Sequence, residues 1–86
     1  MIKEIKLRVK ETDYEGKLSH AIRFLRSNDQ VKLTVMFRGR EVTYPEAGEH
    51  LLFKFAEDLE EYGKAQLPPV REAKQVFLVF TPNTGG

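Results

Sequence analysis

The sequence predicts a two-layer α/β (α+β) sandwich of order βαβαββ, with two helices packed on one face of a four-stranded mixed sheet. Three observations carry this. Apolar and polar residues alternate one by one in two stretches of the first half, which is the pattern of half-buried strands. Two further stretches repeat their apolar residues at three- and four-residue spacing, which lays them along one side of a helix. A continuous apolar run near the end is short enough to be a strand. Two amphipathic helices need one sheet face to cover, and two layers satisfy both.

Ile5, Leu7 and Val9 alternate with Lys6, Arg8 and Lys10 in the first strand. Thr12-Asp13 supplies a side-chain cap for the first helix, with Gly16 as its weak spot. Tyr14, Leu18, Ala21, Ile22 and Leu25 form the inner stripe of that helix, and Ser27-Asn28-Asp29 ends it. Val31, Leu33, Val35 and Phe37 alternate through the second strand. A strand, a helix and a strand on short links read as a crossover between parallel strands. Arg38-Gly39-Arg40-Glu41 reads as a loop or strand end, and Pro45 suits the first turn of the second helix, with Glu46 and Glu49 near its positive end. Leu51, Phe55, Leu59 and Tyr62 are the expected inner face, with Gly63 as the stop. Leu67-Pro68-Pro69-Val70 predicts a short edge strand, because proline cannot donate to a ladder. Val76 to Phe80 is apolar enough to be central or covered on both faces, and Thr81 to Gly86 reads as a frayed tail.

Eighty-six residues make a single domain spanning 1–86. The absence of cysteine removes disulfides and thiolate metal sites. No run approaches the roughly 18 apolar residues of a membrane helix, so the expectation is a cytoplasmic monomer without membrane, cofactor or small-molecule substrate. His20 and His50 stand in no metal-ligand spacing, and the acidic run Glu57, Asp58, Glu60, Glu61 reads as a solvated face. No enzyme is expected.

Charge is more informative in its placement than in its sum. The net value is +1, but residues 1–40 carry ten Lys/Arg against five Asp/Glu, and residues 41–86 carry four against eight. Such a chain has a basic surface able to attract phosphate despite near-neutrality. If the apolar strand residues face the helices, Lys6, Arg8, Lys10, Lys32 and Arg38 fall on the opposite sheet face. On the first helix, His20 and Arg23 point outward with Arg26 at one edge. Arg38 and Arg40 flank Gly39 in a loop. Arginine binds phosphate bidentately and stacks on bases, which suits RNA. Phe53 stands opposite the apolar stripe of the second helix, among Glu46, His50, Glu57 and Glu60.

Taken together, Lys3-Glu4-Ile5-Lys6-Leu7-Arg8, Asp13-Tyr14, Lys17-Leu18, Arg23-Phe24-Leu25 and Val35-Met36-Phe37-Arg38-Gly39-Arg40-Glu41 resemble the C-terminal domain of bacterial translation initiation factor 3. Glu57-Asp58-Leu59 and Phe80-Thr81-Pro82 fit more loosely. The resemblance implies binding to the small ribosomal subunit through its ribosomal RNA, hindrance of large-subunit joining, and support for selection of initiator tRNA and start codon. It implies contact residues at Arg8, Arg23, Arg38, Arg40, Lys54 and Lys74, of which Lys54 and Lys74 rest on the resemblance alone. With Gly39, Lys6 and Lys32 they make up the expected interface. Ser19 and Met36 stand where some members of the family carry another arginine, and the expectation is a domain without the family's N-terminal domain and Lys-rich linker, as either an isolated domain or a reduced relative. Two other readings remain open: an RNA-binding module for non-ribosomal RNA, and a protein-interaction domain using the acidic second helix and Phe53.

Overall fold

A computed structural model describes residues 2–10, 12–38 and 45–83. Its elements are β1 (Ile2–Arg8), α1 (Tyr14–Arg26), β2 (Gln30–Met36), α2 (Pro45–Asp58), β3 (Gly63–Arg71) and β4 (Gln75–Pro82). The expected βαβαββ order and four-stranded mixed sheet are what the chain adopts. Sheet order is β1-β2-β4-β3. β1 and β2 pair in parallel, and β4 pairs antiparallel with both β2 and β3. The last strand of the chain thus sits between β2 and β3.

The alternation read from the sequence sets the two faces of the sheet. Ile5, Leu7, Val31, Leu33, Val35, Val76, Leu78 and Phe80 are buried beneath the helices with Ala21, Leu25, Leu52, Phe55 and Leu59. The residues between them, from Ile2, Glu4, Lys6 and Arg8 on β1 to Phe77 and Val79 on β4, turn to the open face.

α1 is terminated by local chemistry at both ends. The Asp13 carboxylate accepts the Gly16 N–H at 3.2 Å, satisfying one orphan donor of the first turn. At the far end Asn28 adopts φ 67°. This left-handed residue lets the Asp29 N–H reach the Phe24 carbonyl at 2.9 Å and the Asn28 N–H reach that of Leu25 at 3.0 Å, a Schellman closure.

Several expectations are corrected. The inner face of α2 is Leu52 and Phe55, with buried Leu59 just beyond its end, while Leu51 and Tyr62 are only partly buried. The face rotates because Gly48 packs on the Phe37 ring and Val76, where a Cβ would come within 2.9 Å of the ring. Stepping by four and then three residues from Gly48 leads to Leu52 and Phe55. The helix ends at Asp58, so Gly63 is not its stop but the first residue of β3. β3 lies at an edge as expected, yet it has nine residues and is not short. Its register shifts between Gln66 and Val70, which takes up the prolines without ending the strand. Thr81 and Pro82 are not a tail: they pair with Lys64 and Gly63. β4 is central, but only its helix-facing side is buried.

Candidate nucleic-acid interface

The expected contact residues fall into separate groups. The first lies where β1 and β2 finish. Arg8 is the last residue of β1 and exposed, and its rung continues through Met36 to Gln75. The Phe37 N–H donates to the Lys74 carbonyl at 2.8 Å, which sets exposed Arg38 and Lys74 beside each other on neighbouring segments. With strands about 4.8 Å apart, Arg8, Arg38 and Lys74 sit across roughly 10 Å. Gly39 and Arg40 follow directly in sequence and lie outside the described residues. Lys10 and Arg38, expected on the sheet face, come just after the strand ends instead, because β1 stops at Arg8 and β2 at Met36.

The middle of the open face is less basic than expected. Glu4 shares it with Lys6 and Lys32, whose Nζ atoms lie 4.0 and 3.8 Å from its carboxylate. The buried Thr34 hydroxyl also donates to Glu4, at 3.3 Å. Lys32 Nζ stands 4.3 Å from the Phe77 ring centroid, a cation–π contact. These exposed pairs contribute little to stability, but one carboxylate offsets half of the two ammonium charges. The signal was present in the sequence, since Glu4 has the same strand parity as Lys6 and Arg8.

Arg23 is not part of the strand-end group. It lies in the last turn of α1, which Ser27-Asn28-Asp29 joins to the start of β2. Arg8 and Arg38 are at the finish of the strands. Seven residues at about 3.3 Å each separate those ends by roughly 20 Å. Helical periodicity finds which way a side chain faces, but only the crossover topology shows to which end of the sheet it belongs.

Lys54 sits in a third setting. Its Nζ is 4.5 Å from the Tyr14 ring centroid, in a groove between α1 and α2 rimmed by Glu15, Glu57, Asp58, Glu60 and Glu61. The Tyr14 hydroxyl donates to Asp58. Burial, then this hydrogen bond and the nearby Asp58 and Glu57 charges, raise the Tyr14 phenol far above its ordinary value. Lys54 thus shares its groove with five carboxylates, but its recorded contact is the Tyr14 ring. Phe53 is exposed, as the periodicity predicts, and lines a shallow hollow with Val9, His50 and Leu51.

Among the described residues no group of three or more His, Asp or Glu converges as a metal site, and no helix is long and apolar enough to cross a membrane. What the chain presents is a strand-end patch of Arg and Lys, a second pair of arginines on α1, and an acidic helical groove.

Residues 1–83 match the family described as translation initiation factor IF-3, C-terminal domain. Curated relatives carry the same name. The translation initiation factor IF-3 of Prochlorococcus marinus (strain MIT 9211) is 43% identical over 83 residues, covering 94% of this chain and 41% of the relative. That of Phocaeicola vulgatus is 42% identical over 93 residues, covering 98% and 47%. That of Parabacteroides distasonis is 42% identical over 88 residues, covering 100% and 42%. The chain spans less than half the length of these relatives. With the family matched across all six elements, this chain belongs to the translation initiation factor IF-3 family, in the part that forms its C-terminal domain.

Proposed function

We infer that this domain acts in translation initiation by binding the small ribosomal subunit through ribosomal RNA, without catalysis. Held there, it obstructs joining of the large subunit and supports selection of initiator tRNA and start codon. The observation that carries the reading is the strand-end patch of Arg8, Arg38 and Lys74 in a chain of this family. Arginine forks on phosphate fix position without reading sequence, which suits a factor that recognises one folded RNA by shape.

The test is cosedimentation with purified small subunits. The parent is expected to pellet with them, and the double variant Arg8→Ala/Arg38→Ala to lose at least tenfold in affinity. Arg40→Ala tests the residue two positions beyond Arg38 in sequence in the same way. Failure of the parent to bind defeats the function. Normal binding by all the variants defeats the site. Competition by unrelated structured RNA as effective as that by subunits would move the domain to non-ribosomal RNA.

A further inference from the structure

The cations of this chain differ in what already occupies them. Arg71 is clamped by Glu49, with Nε–Oε1 and Nη2–Oε2 distances of 2.8 and 3.1 Å. Lys6 and Lys32 share Glu4, and Lys54 Nζ stands over the Tyr14 ring. Arg23 and Arg26, like Arg8 and Lys74, make no ion pair among the described residues, and both are exposed on one helix. They line a concave notch with Ser19, Ile22 and Ser27, and no acidic side chain contributes to it.

The spacing of these residues is i, i+3, i+4, i+7 and i+8, which places all five on one side of the helix. Two guanidinium groups one turn apart are flanked by two hydroxyls, with the Ile22 side chain as the apolar floor. This donor set matches a phosphodiester: bidentate arginine for the anionic oxygens, and hydroxyls that donate to a third acceptor. A helix C-terminus ordinarily repels an anion, because its last carbonyls point outward. Here the Arg23, Phe24 and Leu25 carbonyls are covered. The Ser27 N–H serves Arg23 and Phe24, that of Asn28 serves Leu25, and that of Asp29 serves Phe24.

We propose that the last two turns of α1 form a second phosphate-binding site, with Arg23 and Arg26 as the fork and Ser19 and Ser27 as hydroxyl donors, for a backbone phosphate of the same RNA. This rests on the inferred ribosomal-RNA binding and adds Arg26, Ser19 and Ser27 to it. The RNA is then gripped at two points, the strand-end patch and the α1 notch, roughly 20 Å apart along the strands.

The experiment has two arms. In the first, small-subunit binding is measured across a salt series for the parent, Arg26→Ala, Arg26→Lys and Ser27→Ala. Arg26→Ala is expected to weaken binding by about tenfold and to lower the salt slope by about one unit, as loss of one phosphate contact requires. Arg26→Lys keeps the charge at the helix end, and with it the thermal midpoint, but loses the fork and weakens binding severalfold. Parent-like affinity and slope in both Arg26 variants overturn the notch while leaving the ribosomal reading intact. In the second arm, arginine Nε–Hε signals are followed by NMR as a short single-stranded RNA, inorganic phosphate or a poly-glutamate peptide is added. Saturable shifts of Arg23 and Arg26 with RNA are expected, exceeding those with free phosphate. Shifts confined to Arg8 and Arg38 overturn the proposal, as does tighter occupation by the peptide. This arm decides the notch even if the parent fails to bind subunits.

Discussion

The two helices lie on the same sheet face and are held by opposite means. α1 terminates itself: Asp13 caps its start with Glu15 in the first turn, Arg23 and Arg26 complement its last turn, and Asn28 closes it. α2 has acidic residues at both ends, Glu46 in its first turn and none but acidic charges in its last. Its C-terminal end runs against the helix dipole, so its position depends on ties to other elements. Phe55 is buried against the Tyr14 ring with centroids 4.5 Å apart, Asp58 receives the Tyr14 hydroxyl, and Glu49 holds Arg71 of β3. The lesson is that local rules suffice where a helix carries its own caps. Where charge is arranged for another purpose, tertiary contacts must do the holding.

That contrast can be broken most strongly at Phe55. Truncation to alanine removes a fully buried ring from α2's main anchor and is expected to cost about 3–5 kcal/mol in chemical denaturation. Next is the self-termination of α1. Asn28→Ala places a Cβ-bearing residue without a local hydrogen-bonding side chain at φ 67°, with an expected loss of about 1–2 kcal/mol, whereas Asn28→Gly should be neutral or slightly stabilising. Thermal melts of the two variants check this.

Tyr14→Phe removes one tie of α2 and should cost about 1 kcal/mol at neutral pH. It also changes the alkaline limb. The Tyr14 phenol is raised in the folded chain, so above about pH 10 the unfolded chain releases a proton that the folded chain retains. The parent therefore loses stability as pH rises past that value, and Tyr14→Phe should lose less. The smallest effect is expected at Glu49→Gln. Hydrogen bonds from Arg71 hold the Glu49 carboxyl below its ordinary range, so its contribution is present at neutral pH and vanishes as pH falls through the folded value. Parent and variant melts should converge in acid.

Much of this was legible in the sequence because alternation and helical spacing report directly on faces. The strands, the order of elements, the exposed Phe53 and the outward Arg23 followed from those periods. What failed were matters of reach and neighbourhood. Leu51 and Leu52 are adjacent, and only the close approach of Gly48 to Phe37 decides which turns inward. The length of β3 was hidden because two prolines argue for a stop, yet the register shift accommodates them. Of the candidate interface residues, Arg8 was placed by alternation, whereas Arg38 falls just beyond the strand on which alternation put it. The separation of Arg23 from them, and the carboxylates around Lys54, depend on topology and on residues distant in sequence.

The position of β4 has a consequence for synthesis. A nascent chain that has emerged through β3 holds a β1–β2 pair and a strand with no partner, because β3 touches the sheet only through β4. Until residues 75–82 are available, Val31, Leu33 and Val35 belong to an edge strand and the layer under α2 is half built. Completion is therefore non-local and comes late in elongation. A chain interrupted before residue 75 leaves apolar strands open to aggregation and proteolysis, so truncated products should be cleared rather than accumulate.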